Sequence, residues 1–149
     1  RDEANFTVTG QLFAHLSWLA SQHDTMHPLE IAGNPPLGLE IEGETGAGAL
    51  HGAALVAEGR TTLLVMNRGE AAVPVALEAG TPASHLELTR YDATAQCEPV
   101  ARVRLDSDTP PWQQGPCTPH TENPPAGTVS AELPPHSLTI LSFGAKKES

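Results

Sequence analysis

From Ala49 onward apolar residues recur at every second position, and this period constrains the fold more than any other feature of the chain. Val73, Val75 and Leu77 alternate with Pro74, Ala76 and Glu78; Ala101, Val103 and Leu105 with Arg102 and Arg104; Val129, Ala131 and Leu133 with Ser130 and Glu132. Successive side chains of a strand point to opposite faces, so each run predicts a strand with one buried and one wet face. Thr61 to Met66 and Leu138 to Phe143 are apolar on both faces and are predicted as central strands covered on two sides. Asn67-Arg68-Gly69-Glu70 carries the residue types of a tight hairpin turn. With His51 to Ala57 and His85 to Tyr91 added, the expectation is a mostly β fold: an antiparallel β-sandwich of about seven to eight strands with one N-terminal helix. Its predicted core holds Leu63, Val65, Val73, Val75, Leu77, Leu86, Leu88, Val103, Leu138 and Ile140.

The helix is the stretch Thr9 to Ser21, the one segment with a 3.6-residue period. Leu12, Phe13, Leu16, Leu19 and Ala20 are assigned to its apolar face, Gln11, His15 and Ser17 lie away from it, and Thr9 is the expected N-cap. Gln22 to Gly48 contains His27-Pro28 and Asn34-Pro35-Pro36, a composition that breaks helices and allows only short extended pieces. The chain therefore divides into residues 1–48, a helix and connecting arm, and residues 49–149, the sandwich. Asp106 to Gly127 interrupts the strand rhythm as a long Pro-rich loop holding Trp112, Cys117 and His120, and a loop of that length is functional, tied down or mobile.

Composition narrows the partners. The 149 residues contain no apolar run long enough to cross a membrane and are sufficient for one domain with a core of its own. A net charge of −10 repels phosphate and aromatics make up only 4%, which argues against nucleic acid and anionic membranes. Cys97 and Cys117 both lie in turn-forming sequence and are expected to form a disulfide. Asn5-Phe6-Thr7 is an N-glycosylation acceptor. Together these favour an exported location, secreted or lysosomal, with any signal upstream of Arg1.

The order of helix, Pro-rich arm, the strand Thr61-Thr62-Leu63-Leu64-Val65-Met66 ending on Asn67-Arg68, and the closing run Glu132-Leu133-Pro134-Pro135-His136-Ser137-Leu138-Thr139-Ile140-Leu141-Ser142-Phe143 resembles the C-terminal β-sandwich of clan A glycoside hydrolases, α-L-arabinofuranosidases and their relatives. His85-Leu86-Glu87-Leu88-Thr89-Arg90-Tyr91, followed by Cys97, also resembles the corresponding region of α-L-iduronidase and β-xylosidase relatives. The resemblance implies that the helix is the last helix of a (β/α)8 barrel, that the arm crosses from barrel to sandwich, and that Leu12, Phe13, Leu16 and Leu19 face that barrel as partner. It also implies that the two catalytic carboxylates belong to barrel strands, so no catalytic residue is assigned to this chain. Glu122-Asn123 reverses the clan's acid/base order and takes no role; Glu40, Glu42 and Glu44 read as a solvated strand face.

No cofactor motif and no metal site is assigned. His23 and His27 are spaced four apart, but Pro28 ends any helix there, and Cys117-Thr118-Pro119-His120 offers too few ligands for zinc. Three function classes follow: a non-catalytic module of a glycosidase; a free carbohydrate-binding sandwich, with Trp112 and Tyr91 as the available sugar-stacking rings and Trp18 committed to the helix; and an adhesion domain of immunoglobulin type, which lacks the expected Cys and Trp framework. The first leads.

Overall fold

The computed structural model describes residues 3–36, 48–77, 83–92, 95–125 and 129–145. In chain order the elements are β1 (Glu3–Phe6), α1 (Val8–Ser21), β2 (Thr25–Pro28), β3 (Leu50–Ala57), β4 (Arg60–Asn67), β5 (Val73–Leu77), β6 (Ala83–Tyr91), β7 (Gln96–Cys97), β8 (Ala101–Arg104), a 3-10 turn (Pro111–Gln114), β9 (Cys117–Thr118), β10 (His120–Glu122), β11 (Val129–Leu133) and β12 (Ser137–Ala145). The fold is mostly β and antiparallel, with one α-helix among the described residues, as the alternating pattern predicts. The strands beyond the expected seven or eight are pieces of two to four residues, too short to show a period.

Six strands form the main sheet, in the order β10-β6-β12-β4-β3-β2. The two runs that are apolar on both faces, β4 and β12, occupy interior positions and pair directly, Leu63 opposite Leu141 and Leu64 opposite Ile140. Each face of the sheet carries its own apolar cluster. On one, Leu63, Leu86, Leu88 and Leu141 pack with Leu29, Ala54 and Phe143. On the other, Leu55, Tyr91 and Ile140 pack with Leu19 and Cys117, joined by Val8, Leu12, Leu64 and Leu138. A fully buried Leu or Ile contributes about 1.5–3 kcal/mol, so the sheet is held from both sides by comparable apolar burial.

Several expectations are corrected. Asn67 to Glu70 is not a hairpin turn: β4 pairs with β3 and β12, while β5 pairs with β11 in a separate ribbon. No residue from 67 to 70 has a positive φ, and the chain turns instead because the buried Asn67 side chain accepts from Gly69 N–H and donates to the carbonyls of Ala71 and Leu133. The tight turn lies earlier, between Ala57 and Arg60, where Gly59 adopts φ +75°. Leu63, Leu86, Leu88, Val103 and Ile140 are buried as expected, but Val65, Val73, Val75 and Leu138 are half-buried, the two valines of β5 because their ribbon stands apart from the six-stranded sheet. The side chain of Leu77 lies outside the described residues.

The helix begins one residue earlier than expected, capped by Thr7, whose hydroxyl accepts from Gly10 N–H at 3.1 Å. Its rotation also differs from the hydropathy reading. Gln11, His15 and Leu19 are its buried residues, and Leu12 packs beside them, whereas Phe13 is 72% exposed and Leu16 is exposed beside it. The segment read as a connecting arm contributes β2, which pairs with β3 and forms one edge of the main sheet. The segment read as a long loop contains the 3-10 turn, β9 and β10, and packs against α1.

Candidate functional site

The reason for the helix rotation is chemical. The Gln11 side chain is 1% exposed and fully engaged: its amide N–H groups donate to the carbonyls of Trp112 (2.7 Å) and Cys117 (2.9 Å), and its carbonyl accepts from Cys117 N–H (2.7 Å). Left unpaired, the buried Cys117 N–H and C=O would cost about 1–3 kcal/mol each, so a glutamine is worth more here than another leucine. Gly115 leaves the space Gln11 occupies, since a methyl group there would collide with the Gln11 side chain.

One turn later, His15 is 3% exposed and stacks on Trp112 with ring centroids 3.6 Å apart and planes within 2°. Its Nδ1 is hydrogen-bonded to the Tyr91 hydroxyl at 2.9 Å. Burial lowers His15 to about 4, so the imidazole is neutral at ordinary pH, and burial pushes the Tyr91 phenol up to about 12, partly offset by the Gln11 side chain. Trp18 joins the group, its ring tilted 52° to Trp112 at 5.7 Å. The Trp112 indole N–H is buried with no acceptor among the described residues.

The His15, Trp18 and Trp112 rings wall one side of a cleft of about 280 Å³ between α1 and the main sheet. The sheet side is polar. Thr62, Ser142 and Glu87 stand directly opposite one another across β4, β12 and β6, so they share one face in a row. His23 extends the row: its Nδ1 meets the Leu19 carbonyl at 2.7 Å, and since a carbonyl only accepts, Nδ1 carries the proton. Its Nε2 is hydrogen-bonded to the Thr62 hydroxyl (2.9 Å), which is hydrogen-bonded in turn to the Ser142 hydroxyl (2.8 Å). Each hydroxyl of this hydrogen-bonded chain retains capacity for a further hydrogen bond beyond the chain itself. At the rim Arg60 pairs with Glu87 at 3.2 Å.

Of the residues singled out in the sequence, Trp112 lines the cleft, while Tyr91 is 6% exposed and reaches it only through His15. Cys97 and Cys117 form a disulfide joining β7 to β9. Asn5 is exposed on β1, opposite Arg102 of β8. Glu122 pairs with His120, and Asn123 donates to the Leu86 carbonyl. Glu40, Glu42 and Glu44 lie outside the described residues. Among the described residues no three His, Cys, Asp or Glu side chains gather to hold a metal ion, and no helix is long and apolar enough to cross a membrane.

No family model and no curated protein matches the chain. Among solved structures it is similar to a GH30 endoxylanase from Clostridium papyrosolvens C71, at 18% identity and TM-score 0.41 over 68% of this chain and 22% of that one. A glycoside hydrolase family 30 subfamily 8 xylanase from Clostridium acetobutylicum overlaps equally, 68% against 22%, at 15% identity and TM-score 0.41. Alpha-galactosidase I from Mortierella vinacea overlaps at 12% identity and TM-score 0.34, over 69% of this chain and 23% of that one. The chain spans less than a quarter of the length of these proteins.

Gln11, His15, Trp18 and Gln22 were not assigned to the site by hydropathy, yet their spacing of four, three and four places them along one side of a helix. That polar and aromatic stripe is the signal in the sequence that points to the cleft. Among the described residues one carboxylate, Glu87, lines the cleft, exposed and paired with Arg60.

Proposed function

We propose that this chain is a non-catalytic module of a glycoside hydrolase, packing on and stabilising a catalytic (β/α)8 barrel that these residues do not supply. The observation that carries this reading is the outer face of α1. Phe13 and Leu16 remain in water on the side of the helix away from the buried Gln11, His15 and Leu19, and burying each against a partner would contribute about 1.5–3 kcal/mol. The resemblance of the closing run to glycosidase sandwiches supports the same reading, and that run forms β12 in the interior of the main sheet. The disulfide and the exposed Asn5 acceptor fit an exported, oxidising location, secreted or lysosomal.

The isolated chain is expected to hydrolyse no aryl glycoside, and light scattering after size exclusion should show association at high concentration that Phe13→Glu abolishes without lowering the melting temperature. Turnover by a monomer, with Phe13→Glu indistinguishable from the parent, would overturn the proposal. The codons preceding Arg1 give an independent check: they are expected to encode alternating strands and helices of a barrel with its two carboxylates.

A further inference from the structure

We propose that the cleft between α1 and the main sheet binds one neutral sugar ring, with its apolar face against Trp18 and its hydroxyls on the Ser142 and Glu87 row. Size sets the first limit. About 280 Å³ lies at the lower end of small-molecule sites, enough for a single ring and not for an oligosaccharide.

Charge sets the second. The Arg60 guanidinium is already paired with Glu87, so neither a cation nor an anion finds an unmatched countercharge in the cleft, and the overall charge of −10 opposes anions further. A purely apolar ligand is disfavoured because it would strip water from Ser142 and from the Arg60–Glu87 pair without replacing its hydrogen bonds. A polyol ring meets both demands. Its C–H face suits an exposed indole, and Trp18, 36% exposed, is the accessible one. Its hydroxyls, which both donate and accept, suit the remaining hydrogen-bonding capacity of the Ser142 hydroxyl at the end of the His23–Thr62 chain, and they donate to the Glu87 carboxylate. This goes beyond the module reading, since a free sandwich and a barrel-bound one would hold the ring alike.

Trp18 and Trp112 are the only tryptophans in the chain, so their two indole N–H resonances and the intrinsic emission both report from the cleft. Purified full chain titrated with glucose, xylose, galactose and arabinose is expected to show saturable shifts of both indole signals with at least one of them. Glucuronate should bind more weakly than the neutral hexoses. Trp18→Ala should weaken the preferred sugar by about tenfold or more, the equivalent of one well-made contact. Glu87→Ala, an exposed position that leaves the fold intact, should weaken it as well. Absence of saturation by every neutral sugar would overturn the proposal. So would unchanged affinity in both variants, or a tighter response to benzyl alcohol than to any sugar. Because none of these readouts involves a barrel or self-association, their failure is distinguishable from failure of the module reading.

Discussion

His15 links the stability of the chain to pH. An imidazole titrates near 6.5 in the unfolded chain and near 4 in its buried place between Trp112 and Tyr91, so between those values the unfolded state binds the extra proton. The stabilisation conferred by keeping His15 neutral is therefore complete above pH 6.5 and lost progressively as pH falls to about 4. The full loss is about 3 kcal/mol, a large share of a small domain's stability. Urea unfolding from pH 7.5 to 4 should show this decline, and His15→Gln, which keeps a hydrogen-bonding group for Tyr91, should flatten it. A variant and parent that decline in parallel would place the acid sensitivity elsewhere.

At the scale of elements, α1 and the Trp112–Cys117 segment hold each other, and the disulfide anchors that segment to β7. In the chain-entropy account a bridge spanning 20 residues is worth roughly 3 kcal/mol. Reduction should accordingly lower the melting temperature by several degrees and shift the tryptophan emission, because Trp112 loses the fixed segment on which it stands. A melting curve unaffected by reductant would mean that the Gln11 hydrogen bonds hold the segment unaided.

The longer elements were legible because β3, β4, β6, β11 and β12 alternate or are apolar throughout, and α1 carries a helical period. The rotation of α1 was not. Hydropathy assigns Gln11 and His15 to solvent; they turn inward to meet partners distant in sequence, the Cys117 backbone groups for Gln11 and the Tyr91 hydroxyl and Trp112 ring for His15. The pairing of β5 with β11 was likewise invisible, since alternation marks a strand without naming its neighbour. In the cleft, Trp112 was identifiable as a candidate. Thr62, Ser142 and Glu87 were not, because cross-strand register alone brings them into one row.

For the whole molecule, β12 has a consequence for the order of events during synthesis. It is the last described element to leave a ribosome, yet it lies between β4 and β6 and pairs with both. Until Ser137 to Ala145 emerges, β4 and β6 each present an unpaired edge beside exposed leucines, a state that favours association between nascent chains. The sheet is thus closed from the inside, and vectorial folding from the N-terminus is not available to it; contacts of such long sequence separation also make folding slow. A chain terminated after Leu133 is expected to aggregate on expression, and adding the missing nine-residue strand as a synthetic peptide should rescue soluble material. Soluble, cooperatively melting protein from the truncated chain alone would show that the remaining strands find another way to close the gap.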